Sequence, residues 1–198
     1  MFLFSGLVAW NMYAVTIGTA IASLLGNGPL MKKIYFPPYA SVFGSVVATF
    51  YQSLIEVSIL FLVLLAYGNV GWTWLLLVFW FALFGVAVAA LALLLSVMNV
   101  YYRDTTHIVS IVLQMQFYLT PIIYNPTDVP SDWHGLPLRT LIGLQPMAAF
   151  VETFRSLCYS LTLGPARAWL TSFGWTVAAV AAAWVFYRRR GLDLSEEL

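Results

Sequence analysis

Charged residues are scarce in this chain, and almost all of them lie in short gaps between long apolar runs. Of the 198 residues, 9% are charged and 62% are hydrophobic. Backbone polar groups inside a bilayer must be hydrogen-bonded within the protein, so segments this apolar cross it only as helices or as a closed barrel. Continuous apolar runs without alternation favour helices. The composition therefore predicts an all-α, polytopic membrane protein built as a helical bundle.

The sequence lacks the residues that several kinds of chemistry require. Cys158 is the single cysteine, which excludes an intramolecular disulfide. His107 and His134 are expected on opposite sides of the membrane, so they cannot share a metal ion. No glycine-rich phosphate loop ending in Gly-Lys-Ser or Gly-Lys-Thr occurs, and a net charge of +1 gives no sign of nucleic-acid binding. We therefore expect no bound cofactor, no metal and no covalent catalysis, with any ATP and Mg²⁺ held by another subunit.

Five apolar runs approach the roughly 20 residues that a helix needs to cross about 30 Å of hydrocarbon. These are Phe2 to Leu25, Ala40 to Tyr67, Trp74 to Met98, His107 to Tyr124 and Ala168 to Tyr187. Positive charge falls in three gaps, at Lys32 and Lys33, at Arg103 and at Arg188 to Arg190. The positive-inside rule places these gaps in the cytoplasm. Residues 1–198 are treated as one transmembrane domain.

A sixth apolar run, Pro146 to Leu163, is predicted not to cross, because crossing would place the cluster Arg188 to Arg190 outside. This run is expected to be re-entrant or to lie at the outer interface. Pro121 should break the fourth helix near its outer end. The prolines that follow it predict no regular structure until Pro146 opens a helix.

Glu152 and Arg155 lie one turn apart in that outer helix. Two interpretations are left open, a short outer gate held by polar contacts and an interfacial helix with a solvated salt bridge. The 8 tryptophans and 11 tyrosines are likewise open to two interpretations. They form an interfacial belt, or some of them line a path for sugar rings.

Glu56 lies near the middle of the second run, where an ionised carboxylate costs at least roughly 3 kcal/mol on insertion scales. It should face a helix interface or an aqueous cavity. One interpretation is a path-lining or proton-coupled carboxylate. The other is a glutamate that fixes helix packing through hydrogen bonds to Gln52, Ser53 or Ser58.

Two cytoplasmic segments carry unusual sequence. The string LMKKIYFPPYA, Leu30 to Ala40, is too apolar for a solvated loop. It is interpreted either as a short helix that docks a cytoplasmic partner or as a basic, aromatic membrane anchor. The string NVYYRD, Asn99 to Asp104, ends the third run, and Asp104 is expected to cap the next helix.

The order of these segments resembles the permease subunits of ABC exporters for polysaccharides, the group that includes the O-antigen, teichoic-acid and galactan exporters. The matching strings are GLVAWNMY, LMKKIYFPPYA, NVYYRD, YLTPIIY and QPMAAFVETFR. The resemblance extends over essentially the whole chain. Relative to the family, Gln145 replaces a common Asn, Pro38 and Tyr39 replace a charged pair, and the amino-terminal segment with the first span has no counterpart. We therefore expect an amino-terminally shortened permease of about five spans.

The resemblance implies six spans in a complete subunit, short re-entrant outer helices and assembly as a homodimer in a bacterial cytoplasmic membrane. Two copies of an ABC ATPase subunit would supply the energy, and a lipid-linked polysaccharide would move outward between the two permease copies. An ABC exporter of drugs or lipids is the first alternative. A proton-coupled transporter that depends on Glu56 is the second.

Residue roles follow from the resemblance in three groups. An ATPase-coupling loop would comprise Lys32, Lys33, Ile34, Tyr35, Phe36 and Pro37. The cytoplasmic end of the channel would comprise Tyr101, Tyr102, Arg103 and Asp104. An outer gate would comprise Pro121, Tyr124, Pro146, Glu152 and Arg155.

Overall fold

A computed structural model of the chain describes residues 2–31, 37–125 and 138–190. Within these ranges the chain forms α-helices and one short 3-10 helix, Trp72–Leu75, and contains no strand. The α-helices are α1 (Phe2–Met31), α2 (Pro38–Ala66), α3 (Leu76–Tyr101), α4 (Thr105–Leu119), α5 (Leu138–Leu144), α6 (Pro146–Cys158) and α7 (Ala166–Arg190). The predicted all-α fold is confirmed.

Prolines set several helix boundaries. Pro38 and Pro146 stand in the first turn of α2 and α6, where the fixed φ is already helical and the missing N–H breaks no hydrogen bond. Thr120 is extended, with φ −78° and ψ 133°, because the ring of Pro121 excludes the helical conformation from the residue before it. The predicted break at Pro121 is therefore confirmed, and α4 ends at Leu119.

Four helical segments of the described chain are long and apolar enough to cross a membrane: Phe2–Gly28, Pro38–Ala66, Trp72–Tyr101 and Ala166–Arg190. The remaining predicted span differs from expectation. Its helix α4 has 15 residues, or about 22 Å at 1.5 Å per residue, because it ends before Pro121 instead of continuing to Tyr124. The chain is a multi-pass membrane protein with four such helices in its described part, and α4, the fifth predicted span, is too short to be counted with them.

Contacts along α1 show how far α4 extends. Near one end of α4, Thr106 donates a hydrogen bond to Asn99 at 2.9 Å, and Asn99 donates to the carbonyl oxygen of Ile21 at 3.2 Å. Near the other end, the ring of Phe117 packs edge-on against Trp10 with centroids 5.5 Å apart. α4 therefore runs antiparallel to the middle portion of α1.

Helix α3 is the centre of the bundle and packs against α1, α2 and α7. Helix α6 lies across one end of the bundle, in contact with α1, α3 and α7. An aromatic cluster joins α6 to α3: Trp80 stacks on Phe84 with centroids 4.6 Å apart, and Phe150 and Phe154 pack around this pair. Some of the aromatic residues thus belong to the core and to neither a belt nor a sugar path.

The connecting segments gather at two opposite ends. At the end that carries α6, Asn69 donates to the carbonyl oxygen of Tyr159 at 2.9 Å, and Thr73 donates to that of Leu157 at 2.8 Å. At the other end, the hydroxyl of Tyr101 donates to the carbonyl oxygen of Arg190 at 2.7 Å. Arg103 and the cluster Arg188 to Arg190 thus share one end, here called the cytoplasmic end, and α6 marks the outer end.

The outer segment contains a helix that the sequence did not predict. α5 occupies Leu138–Leu144, between the proline-rich stretch and Pro146, and its seven residues contain no proline. The predicted helix from Pro146 is confirmed as α6, but it ends at Cys158 and not at Leu163. A turn in which Leu161 and Gly164 have φ values of 52° and 69° replaces the end of the predicted run.

Candidate functional site

The side chain of Arg155 joins three helices at the outer end. Its Nη1 donates to the carbonyl oxygen of Pro121 at 3.2 Å, and its Nη2 donates to that of Ile122 at 3.5 Å. The guanidinium also stacks on the ring of Phe2, with Cζ 3.5 Å from the ring centroid. Arg155 of α6 therefore ties the chain just beyond α4 to the first turn of α1.

Gly6 in α1 makes room for this guanidinium. A Cβ at Gly6 would lie 2.6 Å from Nη2 of Arg155 and 3.3 Å from Cγ2 of Ile122. Arg155 is 7% exposed, and its Nε has no hydrogen-bond partner. Burial lowers the pKa of Arg155 to about 10, and the nearby Cys158 and Glu152 oppose this shift. Because the charged guanidinium is buried beside Gly6, the outer end should be sensitive to substitution of this glycine.

The interpretation of Glu152 and Arg155 as a solvated salt bridge is wrong. Arg155 is buried and directs its hydrogen bonds to main-chain carbonyls beyond α4. The one-turn spacing made the pair possible, but the carbonyl groups left free by the helix break at Pro121 provide better-placed acceptors. The interpretation of an outer gate held by polar contacts stays a prediction.

Glu152 lines a separate cavity of about 260 Å³ at the outer end. Arg139 of α5 and Arg167 of α7 line the same cavity. Arg167 donates through Nη2 to the carbonyl oxygen of Thr140 at 3.2 Å, which ties α7 to α5. Burial raises the pKa of Glu152, and Arg167 and Arg155 offset part of this shift. The cavity thus carries two guanidinium groups and one half-buried carboxyl group.

The start of α6 is also tied to α4. Pro146 opens α6, and the side chain of Gln145 before it donates to the hydroxyl of Thr120 at 3.3 Å and to the carbonyl oxygen of Gln116 at 3.5 Å. Gln145 makes no side-chain capping bond to α6. Its side-chain amide bonds to α4 instead, because the side chain of glutamine is longer than that of asparagine.

Tyr124 lies beside the same end of α4. Its hydroxyl donates to the carbonyl oxygen of Leu119 at 2.8 Å, and burial raises its pKa. The outer-gate residues named from the sequence therefore cluster around the end of α4, with Pro121 and Arg155 in direct contact and Glu152 at the neighbouring cavity.

The helices differ in the side chains that they turn away from the bundle. On α1, Asn11, Gly18 and Thr19 are exposed, and no heavy atom lies within 4 Å of a Cβ built at Gly18. On α4, His107, Ser110 and Gln114 are exposed, beside the exposed apolar side chains of Ile108, Ile111, Val112, Met115, Tyr118 and Leu119. The exposed positions of α3 and α7 are mostly large and apolar, including Val78, Phe79, Leu170, Phe173, Val177, Val180 and Trp184. We call the exposed small and polar side chains of α1 and α4 the polar face.

At the cytoplasmic end, part of the predicted coupling loop lies outside the described residues, namely Lys32, Lys33, Ile34, Tyr35 and Phe36. Pro37 is extended and precedes α2 directly. The α1 and α2 helices are joined nearby, where Asn27 donates to Ser41 at 2.6 Å and Ser41 donates to the carbonyl oxygen of Ser23 at 3.1 Å. Movement of Pro37 would therefore act on α1 as well as on α2.

The predicted channel end, Tyr101 to Asp104, lies between α3 and α4. Tyr101 contacts α7 through its bond to Arg190, whose guanidinium carbon lies 5.2 Å from the centroid of the Tyr101 ring. Asp104 stands at the cap position of α4, but its carboxylate makes no capping bond. The hydroxyl of Thr105 instead donates to the carbonyl oxygen of Tyr102 at 2.6 Å.

Glu56 is half-buried on α2, ten positions before Ala66 and therefore about 15 Å from the outer end of that helix. Its carboxylate makes no hydrogen bond to Gln52, Ser53 or Ser58, and Ser58 donates instead to the carbonyl oxygen of Leu54 at 2.7 Å. Packing through those hydrogen bonds is therefore not observed. A role in the transport path stays a prediction.

The described residues contain no group of three His, Cys, Asp or Glu side chains that could hold a metal ion. Cys158 is buried at the end of α6, and burial raises the pKa of its thiol to about 12. A thiol in this environment is not a nucleophile near neutral pH.

Sequence reasoning missed Gly6, Arg139 and Arg167. Nothing in the sequence places a glycine near an arginine that lies about 150 positions later, so the first of these required the folded structure. The signal for the two arginines in the sequence is weak, because each is an isolated charge near the start of a helix. Their shared cavity with Glu152 depends on how α5, α6 and α7 pack.

The chain is similar in sequence to known proteins of the family that the residue pattern resembles. Three curated relatives carry the name O-antigen export system permease protein RfbA. The one from Myxococcus xanthus is 25% identical over 200 aligned positions, with 100% of this chain and 75% of the relative covered. Two from Klebsiella pneumoniae are 24% and 23% identical, with 82% and 79% of this chain and 62% and 60% of the relatives covered. The chain thus spans about two thirds of the length of these relatives.

The family match covers the part of the chain that contains α1 to α6. Residues 1–159 match the sequence model of the family described as "ABC-2 type transporter", and these residues include the outer cluster around Arg155, the polar face and Glu56. A match over this share of the 198 residues decides the family. The chain belongs to the ABC-2 type transporter family.

Proposed function

We propose that the chain is the membrane-spanning permease subunit of an ATP-driven exporter that moves a lipid-linked polysaccharide of the O-antigen type out of the cytoplasm. The names of the relatives support the cargo class, and the family supports ATP as the energy source. A separate ABC ATPase subunit would bind ATP and Mg²⁺, and the membrane would be the bacterial cytoplasmic membrane. The alternatives, a drug or lipid exporter and a proton-coupled transporter, are not favoured by these relatives.

The polar face is the observation that carries this proposal. A helix surface that faces lipid is expected to be apolar, and polar side chains in a bilayer face a helix interface or a water-filled cavity. The exposed surfaces of α3 and α7 fit contact with lipid. The exposed Asn11, Thr19, Ser110 and Gln114 do not. We therefore assign the polar face of α1 and α4 to the export path.

A second copy of the chain would complete that path. The cavities between α3 and α7 and between α2 and α3 in the described chain have apolar walls, with residues such as Leu83, Val86 and Phe173. None of these provides a polar conduit for a sugar chain. Two copies that turn their polar faces toward each other would enclose one, which supports a homodimer.

Coupling to the ATPase would begin at the cytoplasmic end. A displacement at Pro37 acts on both α1 and α2 through the bonds of Ser41 to Asn27 and Ser23. The far end of α1 contacts Arg155 through Phe2 and Gly6. α1 therefore offers a continuous rigid element from the proposed coupling loop to the proposed outer gate, and its displacement would open and close the path.

Two matched glycines test the assignment of the polar face. Gly18 lies on α1 and Gly174 on α7, both are exposed, and neither has a heavy atom within 4 Å of a built Cβ. We expect Gly18→Leu to abolish most polysaccharide export, because the added side chain would enter the path. Gly174→Leu should leave export near the level of the parent chain. Export is measured as surface polysaccharide in cells whose own copy of the permease has been deleted.

Equal export by the two variants, at equal amounts of protein in the membrane, would contradict the assignment. A pull-down of the tagged chain in mild detergent tests the subunit composition separately. We expect an ABC ATPase subunit to be recovered in equal amount. Its clear absence from a preparation that still supports export in cells would contradict the proposed energy source.

A further inference from the structure

The outer cavity between α5, α6 and α7 is lined by two guanidinium groups and one carboxyl group. Arg139 and Arg167 line it from different helices, and both are exposed at the cavity. Glu152 supplies one carboxyl group, which also interacts with Arg155 behind it. Guanidinium groups from two helices around one cavity are well suited to a phosphate, because each offers a planar pair of N–H donors.

We propose that this cavity binds the phosphate of an anionic phospholipid from the outer leaflet, between Arg139 and Arg167. The position along α7 supports a lipid headgroup. Arg167 in the first turn and Arg188 in the last turn of α7 lie 21 positions apart, which corresponds to about 32 Å along a helix. The hydrocarbon core is about 30 Å thick. With Arg188 at the cytoplasmic surface, Arg167 lies at the level of the outer phosphates.

A second cavity lined by α6 and α7 is apolar and provides space for an acyl chain. It measures about 320 Å³ and is lined by residues that include Met147, Phe150, Trp175 and Ala179. Along α7, Ala168 lines the charged cavity, and Trp175, Ala179 and Ala182 line the apolar one. These four residues follow at spacings of seven, four and three, so they share one face of the helix.

Trp175 lines the apolar cavity and is tied to α5. Its indole N–H donates to the carbonyl oxygen of Leu144, the last residue of α5, at 2.8 Å. Tryptophan is typical of the membrane interface. A charged cavity and an apolar one along α7 match the two parts of a phospholipid, whereas a free phosphate ion would use the first cavity alone.

The two arginines of the site lie outside the polar face. They lie on α5 and α7, and α7 packs against α3 and α6, whereas the polar face lies on α1 and α4. This inference therefore does not depend on the nature of the exported cargo. A bound lipid at this place would hold α5 and α7 together across the outer end.

A photoreactive phosphatidylglycerol tests the site. The full chain, purified with its co-purifying subunits, is placed in lipid nanodiscs that contain a phosphatidylglycerol with a diazirine in one acyl chain. Crosslinks are mapped by mass spectrometry. We expect crosslinks in the segment 166–182, and the same photoreactive group on phosphatidylcholine should give far fewer. In the double variant Arg139→Gln with Arg167→Gln, we expect about a tenfold loss of yield, since two charge-assisted contacts to phosphate are removed.

Two single variants provide controls. Arg188→Gln, at the opposite end of α7, should leave the yield in segment 166–182 unchanged. Glu152→Gln removes the negative charge from the cavity, and we expect it to raise the yield. The Glu152 variant also decides the outcome if the double arginine variant does not fold, since an unchanged or lower yield with Glu152→Gln would overturn the proposal.

Competition experiments distinguish the sources of phosphate. Excess unlabelled phosphatidylglycerol should abolish the crosslinks, and inorganic phosphate should not. Loss of the crosslinks with inorganic phosphate would show a free-anion site and overturn the lipid assignment. Displacement by a polyprenyl diphosphate but not by phosphatidylglycerol would overturn it in favour of a lipid-linked cargo. Equal crosslinking by the phosphatidylcholine probe would show an unselective lipid contact and would also overturn it.

Discussion

Gly6 and Arg155 approach each other so closely that no larger residue fits at position 6 without displacing the guanidinium. A Cβ on Gly6 would lie 2.6 Å from Nη2 of Arg155. We expect Gly6→Ala to move the guanidinium away from the carbonyl oxygens of Pro121 and Ile122, and to lower the stability by about 1 to 3 kcal/mol. The measurement is thermal unfolding in detergent, followed by tryptophan fluorescence.

Gly18→Ala is the matched control for that substitution. Gly18 lies on the same helix, with no heavy atom within 4 Å of a built Cβ. An alanine there should leave the stability unchanged or raise it by about 0.5 to 1 kcal/mol. If Gly6→Ala had the same effect on stability as Gly18→Ala, the contact between Gly6 and Arg155 would not determine the stability of the outer end.

Glu152 should make the stability of the outer end depend on pH. Burial raises its pKa in the folded protein, so the carboxyl group favours the folded state below its unfolded pKa, and this contribution is lost as the pH rises through the folded pKa. In phosphate-free neutral detergent, Glu152→Gln should therefore unfold at a higher temperature than the parent chain at pH 7.5. The difference should shrink toward pH 4.5. A difference that grows on acidification would contradict the proposed direction.

Trp80 should contribute strongly to the attachment of α6. Its indole N–H donates to the hydroxyl of Thr153 at 2.9 Å, and its ring is fully buried in the aromatic cluster. Trp80→Phe removes this hydrogen bond and leaves a cavity, so we expect a loss of about 2 to 3 kcal/mol in thermal or denaturant unfolding. Trp72→Phe, at a site 66% exposed, should change the stability by less than about 0.5 kcal/mol. Similar losses for both variants would contradict this assignment.

Glu56 distinguishes an ATP-driven exporter from a proton-coupled transporter. Because the proposed energy source is a separate ATPase, we expect Glu56→Gln to retain most of the polysaccharide export, while depletion of ATP in the same cells stops it. The measurement is newly exported surface polysaccharide after a pulse of labelled sugar. Loss of export in the variant, with the ATPase subunit still bound, would favour the proton-coupled alternative.

The grouping of several basic residues at one end of the bundle could be predicted from the charge pattern. Arg103 and Arg188 to Arg190 lie at one end of the bundle, and α6 lies at the other. Long apolar helices have few ways to arrange their ends, so a handful of charges is enough to order them. The break at Pro121 was equally predictable, since proline acts on the residue before it without any tertiary contact.

Contacts between distant segments could not be predicted. The spacing of Glu152 and Arg155 suggested a pair within α6, but Arg155 bonds to carbonyl groups more than 30 positions earlier. Hydropathy extended the fourth span to Tyr124, because Ile122 and Ile123 are as apolar as a spanning helix requires. Apolar character alone does not distinguish a helix from an irregular segment that is buried against other protein, as Ile122 is here.

Helix α4 is shorter than the hydrocarbon core of a membrane is thick. Its 15 residues cover about 22 Å, against a hydrocarbon core of about 30 Å. The hydroxyls of Thr105 and Thr120 at its two ends donate to main-chain carbonyl groups of the same segment. Bilayers adapt to a short helix by local thinning. In the proposed export path, a hydrophilic cargo that moves along α4 would therefore pass a helix about 8 Å shorter than the thickness of the hydrocarbon core.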